Sequence, residues 1–165
     1  MRKQTEITIV GKRPHLFDES TLVALGIKVE NQTALYSTDI DFSPGDKESG
    51  IFDCGEGWLP IIMAFTESID HLILQDEYTN AETEVIEKKP IALIDGAYRH
   101  LNRLCIMVDV YANIDEGLMH KIKVLKEFSR VMSGFICEIC GTTLKKSEEN
   151  KRVHCAVCHL RHTLK

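Results

Sequence analysis

The chain has 165 residues, 44% of them hydrophobic and 27% charged, with a formal net charge of −5. This balance describes a globular protein and excludes a low-complexity or disordered one. No apolar run approaches the ~20 residues of a membrane-spanning helix, which excludes that class as well.

The opening residues Met1-Arg2-Lys3-Gln4-Thr5-Glu6 lack the apolar core of a signal peptide, so a reducing cytoplasm is the expected compartment. Glu6-Ile7-Thr8-Ile9-Val10 alternates as a half-buried strand does, with Gly11 and Pro14 to end it. Residues 18–26 predict a short helix with Asp18 as N-cap and Gly26 just past its end. Ile27-Lys28-Val29-Glu30 predicts a short strand. Tyr36, Thr38, Ile40 and Phe42 share one side of a second extended segment, and Ser43-Pro44-Gly45-Asp46 forms a turn.

Ile51-Phe52-Asp53-Cys54-Gly55-Glu56-Gly57-Trp58 then runs from an apolar lead into a glycine-flanked turn. A helix begins near Trp58, with Pro60 tolerated in its first turn, and continues to about Gln75. Trp58, Ile61, Ile62, Phe65, Ile69, Leu72 and Ile73 form its apolar face, which the pattern lays against a sheet. Glu67 and His71, four apart, read as a solvated ion pair before they read as metal ligands. Residues 77–89 are polar and predict a loop that enters a strand at Val85-Ile86. Residues 90–96 predict a strand that runs into a turn. Leu104-Cys105-Ile106-Met107-Val108-Asp109-Val110-Tyr111 is nearly continuous in apolar residues, which predicts a central strand with Cys105 as a small core residue. Asp115 caps a last helix, Leu118, Ile122, Leu125, Phe128 and Met132 line its buried stripe, and Gly134 stops it.

Two Cys-x-x-Cys pairs follow, Cys137/Cys140 and Cys155/Cys158, with 14 residues between them. This is the spacing of a zinc ribbon. Four soft thiolates suit tetrahedral zinc and leave no position open for water, so the expected Zn²⁺ is structural. A disulfide, a redox pair or an iron–sulfur cluster are the other chemistries such cysteines serve. Gly141 supplies the positive φ that a knuckle turn needs. His154, His159 and His162 crowd the second pair, and His162 is the one spaced to replace a cysteine.

Cys54-Gly55-Glu56-Gly57-Trp58, the strand Arg103-Leu104-Cys105-Ile106-Met107-Val108 and the motif Cys137-Glu138-Ile139-Cys140-Gly141 occur in an order that resembles a family of small phage and prophage proteins. Those proteins join a Cys-Gly-Asp-Gly-Trp motif to a Cys-Glu-x-Cys-Gly zinc knuckle. Glu56 stands here in place of the family's Asp, and a full Cys155-x-x-Cys158 pair ends the chain. The resemblance covers about residues 51–160. It implies a phage-like, cytoplasmic setting and a zinc knuckle on an α/β body, with no reaction attached.

The sequence therefore predicts an α+β fold: a small sheet packed with two amphipathic helices over residues 1–133, and a C-terminal zinc ribbon over 134–165. Residues 1–120 carry 10 Lys/Arg against 21 Asp/Glu, while residues 121–165 carry 10 against 4. An acidic body thus precedes a basic tail, and Lys145, Lys146, Lys151 and Arg152 gather in the loop between the cysteine pairs. Such a loop suits contact with another macromolecule, a protein first and possible host factors among them, ahead of nucleic acid. Aromatic side chains for base stacking are missing from residues 136–165, which weakens single-strand binding. A catalytic reading rests on Cys54 as a thiolate at a helix start, or on carboxylates such as Glu56, Asp70 and Glu77 in a metal-dependent nuclease. No paired motif supports either, so the expectation is a non-enzymatic binding protein.

Overall fold

A three-stranded sheet, ordered β1-β2-β3, carries the body: β1 (Phe52–Asp53), β2 (Ala92–His100) and β3 (Arg103–Val110). Five α-helices surround or follow it among the described residues: α1 (Lys3–Lys12), α2 (Glu19–Leu25), α3 (Leu59–Asn80), α4 (Glu116–Ser133) and α5 (Ala156–Thr163). The structure, a computed structural model, describes residues 3–27, 51–80, 92–110, 116–144 and 154–163. The α+β class expected from the sequence is what it shows. The expected strands over residues 28–30, 34–42 and 85–86, the turn at 43–46 and the Asp115 cap lie outside the described residues.

The first segment departs from expectation. Residues 6–10 lie in α1, not in a strand. Glu6, Ile9 and Val10 are the buried positions, a spacing of three and four that belongs to a helix. Tertiary burial overrides the β-branched local preference here. Glu6 earns its interior place by accepting the Phe52 amide at 3.0 Å, which ties α1 to β1. α2 forms as expected: the Asp18 carboxylate accepts the Thr21 amide at 3.0 Å, and Gly26 takes the left-handed conformation at φ 71°.

β1 pairs parallel with β2, Phe52 opposite Ala97 and Asp53 opposite Tyr98, and α3 makes the crossover between them. The expected turn at Gly96 is instead a bulge inside β2, between Ile94 and Gly96. A Cβ on Gly96 would stand 2.6 Å from the Ile51 carbonyl oxygen, so glycine permits this approach. β2 and β3 form a hairpin through Leu101 and Asn102, both at positive φ (46° and 61°), as a tight two-residue turn requires. The central strand is therefore β2. β3 lies at the edge of the described sheet, and its exposure alternates, with Leu104 and Ile106 buried. Cys105 correspondingly sits half-buried beside Tyr98, not in the core.

α3 starts after a single 3-10 turn, Glu56–Trp58, and runs to Asn80, five residues beyond expectation. Trp58, Ile62 and Ile69 are fully buried against Phe52, Ile94 and Leu104. α4 buries Leu118, Ile122, Ser129 and Ser133. Of the expected stripe, Leu118 and Ile122 are buried and Leu125 and Met132 pack against the core, while Phe128 points to solvent with 60% of its surface exposed. Ser129 and Ser133 take the inner positions at that end: the Ser133 hydroxyl donates to the Arg130 carbonyl at 2.7 Å and accepts the Leu104 amide at 2.9 Å, stitching α4 to the start of β3. Gly134 follows, with the Arg103 guanidinium lying over it.

Candidate metal centre

The first cysteine pair lies on a knuckle built by its own backbone. Ile136 bridges to Thr143, the Leu144 amide donates to the Phe135 carbonyl at 2.6 Å, and the Cys137 amide donates to the Thr142 carbonyl at 2.8 Å. The turn closes with the Gly141 amide on the Cys137 carbonyl at 2.9 Å, and Gly141 has φ 73°. The second pair is set differently. Cys155 stands just before α5 and Cys158 in its first turn, with the His159 amide on the Cys155 carbonyl at 2.9 Å. A helix start directs both sulfurs to one side and adds the positive end of its dipole, which favours thiolates.

The four sulfurs meet. Cys137, Cys140, Cys155 and Cys158 offer Sγ atoms that all lie within 4.8 Å of one another. Cys140 Sγ and Cys155 Sγ are 3.7 Å apart. A tetrahedral ion with sulfur ligands at ~2.3 Å sets the sulfurs about 3.8 Å apart, so the cluster has the size of a metal shell. The sulfurs of Cys140 and Cys155 are well beyond a disulfide bond, and all six cysteines are unbridged. The charge pattern agrees. The Thr142 hydroxyl and then its amide hold the exposed Cys140 down to about 6, while burial pushes Cys158 up to about 12. A thiol like Cys158 becomes a thiolate only if a cation offsets its desolvation. The Cys155 amide also donates to Cys137 Sγ at 3.2 Å. The residues fit a metal ion with a preference for sulfur, and the shell they form is closed.

The knuckle is seated on the body by the glycine-rich turn before α3. The Gly57 amide donates to the Glu138 carbonyl at 2.7 Å, the Gly55 amide to Glu138 Oε1 at 3.0 Å, and Trp58 Nε1 to the Ile136 carbonyl at 3.0 Å. Neither Gly55 nor Gly57 needs positive φ. Both are glycine because the knuckle presses on them. A Cβ on Gly57 would stand 2.1 Å from the Cys137 oxygen, and one on Gly55 would stand 2.3 Å from the Glu138 oxygen. Glu138 is 6% exposed, and its other oxygen takes the Arg99 guanidinium at 3.1 Å with the His154 ring 3.7 Å away. The two motifs that stand 80 residues apart in sequence are thus the two sides of one contact. Sequence reasoning singled out both but gave Glu138 and Arg99 no role. The signal for Glu138 was its place inside the knuckle, where a surface carboxylate has no reason to be fixed.

The remaining candidates separate. Burial pushes the Cys54 thiol up to about 12, away from any nucleophilic role. Against its ordinary value of 9.0, this cuts the thiolate fraction at pH 8 by about a thousandfold. Iodoacetamide at pH 8 should therefore leave Cys54 unmodified in the native chain and label it in urea, as peptide mass spectrometry would read. Comparable native and denatured labelling would show the thiol to be reactive. Asp70 is held by Arg13 at 3.2 Å and His15 at 2.7 Å. Glu67 lies 3.7 Å from Arg13, so its ion pair is with α1's end and not with His71. Glu56 is exposed ahead of α3, about 22 Å of helical rise from Asp70, and the two do not converge on a nuclease site. The side chains of Glu77 and His162, and the whole of Lys145, Lys146, Lys151 and Arg152, lie outside the described residues. Among the described residues no helix is long and apolar enough to cross a membrane.

No protein-family model matches the chain, and comparison with curated proteins and with solved structures finds no match.

Proposed function

We propose that the chain is a zinc-binding recognition protein that contacts an acidic protein through its basic C-terminal part and catalyses no reaction. The observation that carries this reading is the convergence of four cysteine sulfurs within 4.8 Å. A closed tetrathiolate shell holds a fold together and leaves no site for substrate or water, and zinc is the ion best suited to it. The excess of 10 Lys/Arg over 4 Asp/Glu in residues 121–165 supports an anionic partner. The acidic body, with 21 Asp/Glu to 10 Lys/Arg in residues 1–120, repels a long duplex and so favours protein over DNA. The motif order supports a phage or prophage origin and a cytoplasmic host protein as the partner.

The test has two parts. Elemental analysis should find about one zinc per folded chain, lost when any of the four cysteines becomes serine. Reversing Lys145, Lys146, Lys151 and Arg152 to Glu should keep zinc and folding but abolish capture of the partner from host lysate. Equal capture by the reversed protein would place the contact elsewhere. Micromolar binding of duplex DNA by the wild type at physiological salt would replace the protein partner with nucleic acid.

A further inference from the structure

We propose that Cys140 and Cys155 are a site of reversible oxidation, which a hydroperoxide joins as a disulfide with release of the metal. This rests on the zinc-binding reading above and adds a means of regulating that same site.

The four cysteines are unequal. Cys137 is 0% exposed and Cys158 7%, whereas Cys140 is exposed and Cys155 half-buried. Cys137 is also the most firmly held. Its amide donates to the Thr142 carbonyl, its carbonyl accepts the Gly141 amide, and its sulfur accepts the Cys155 amide at 3.2 Å. Cys158 lies inside α5, while Cys155 stands just before it. The two accessible sulfurs are neighbours, 3.7 Å apart and one from each pair. A disulfide needs about 2.0 Å, so about 1.7 Å must close, a step within the reach of side-chain rotation. The other two cysteines are set differently. Cys54 is buried, and the half-buried Cys105 thiol is engaged by the Tyr98 hydroxyl.

The step balances with a single oxidant. The Cys140 thiolate attacks the O–O bond of the hydroperoxide, becomes a sulfenic acid and expels hydroxide or an alkoxide. The Cys155 thiolate then attacks that sulfur, forms the S–S bond and expels hydroxide. Two protons from solvent turn the leaving groups into water, or into water and an alcohol. The peroxide gains two electrons, and each sulfur gives up one. Cys137 and Cys158 remain as donors, and two thiolates cannot hold zinc as four do. The new bond joins the Cys137/Cys140 turn to the start of α5, so the sulfurs stay gathered and the shell re-forms once a thiol or phosphine reduces the bond.

The test uses the full chain, reduced and loaded with zinc, and hydrogen peroxide as the probe. After a small excess of peroxide and a catalase quench, the remaining thiols are alkylated in denaturant and the digest is mapped by mass spectrometry without reduction. The peptides carrying Cys140 and Cys155 should appear joined, while Cys54, Cys137 and Cys158 are recovered alkylated. A zinc indicator in the same sample should report metal released in step with the new bond, one ion for each. A phosphine reductant with added zinc should reverse both changes. Cys105→Ser should alter neither readout. A zinc-loaded chain that keeps its metal and its thiols under peroxide would overturn the proposal. So would a bond within Cys137/Cys140 or Cys155/Cys158, or first oxidation at Cys54 or Cys105. If zinc is bound but the Cys140–Cys155 bond does not form, the zinc reading stands and the oxidation site falls. If the chain binds no zinc and peroxide still joins Cys140 to Cys155, the oxidation site stands and the zinc reading falls.

Discussion

Trp58→Ala should destabilise the body by about 3–5 kcal/mol, read as a lower midpoint in urea denaturation. The indole is fully buried between Phe52, Ile62 and the knuckle, so its removal leaves a cavity that the rigid sheet cannot fill. Its N–H also carries the bond to the Ile136 carbonyl at 3.0 Å, and alanine would leave that acceptor unsatisfied. Gly57→Ala offers a sharper comparison. Its Cβ would meet the Cys137 oxygen at 2.1 Å and the Gly141 amide nitrogen at 2.5 Å, both backbone atoms with no rotamer to escape into. Gly11→Ala, by contrast, meets nothing within 4 Å inside α1. Helix propensity should make that variant about 0.4–1 kcal/mol more stable. The pair isolates steric docking from backbone entropy. A Gly57→Ala protein as stable as the wild type would show that the knuckle does not press on this turn.

The same turn shows what the sequence could and could not say. The apolar periodicity from Trp58 to Ile73 marks α3, and the Asp18 and Gly26 caps mark α2, because these signals are local. Each depends on residues within a turn or two of one another. The Gly55–Gly57 pair is equally visible, but its cause is the knuckle some 80 residues away, which no local signal reveals. The error at α1 has the same origin. Alternating Ile7, Ile9 and the branched Thr8 and Val10 favour a strand on their own. Only the burial of Glu6 against Phe52 shows which face is inside. In β3 the apolar Met107 and Val108 suggest burial on both faces, whereas the edge of the described sheet leaves Met107 exposed. At the candidate metal centre the convergence of the four cysteines is legible from spacing alone. The helical setting of Cys155 and Cys158 is not, since Cys-x-x-Cys suits a hairpin knuckle and a helix start equally well.

On the proposed zinc-binding reading, a strong chelator should unseat the knuckle, not merely empty it. Without a cation, the crosslink that the four converging sulfurs would make between the Cys155/Cys158 pair and the Cys137/Cys140 turn is lost. The segment from Phe135 to Leu144 has few buried apolar side chains of its own, so a bound metal would supply much of its folding energy. Trp58 is the only tryptophan, and it donates to Ile136, one residue before the first ligand. Its emission should therefore shift to the red as the chelator acts, and return when zinc is added back. The loss should spread to Glu138. Its carboxylate bonds the Gly55 amide and Arg99, and a displaced knuckle would leave the Gly55 and Gly57 amides without acceptors at the mouth of α3. The thermal midpoint of the whole chain should drop, since the entry to its longest helix is loosened. Cys137→Ser should reproduce the red shift without chelator, and zinc should fail to reverse it. If the chelated protein keeps both its emission and its midpoint, the contact between the two motifs holds by itself, and the metal orders only the cysteines that bind it.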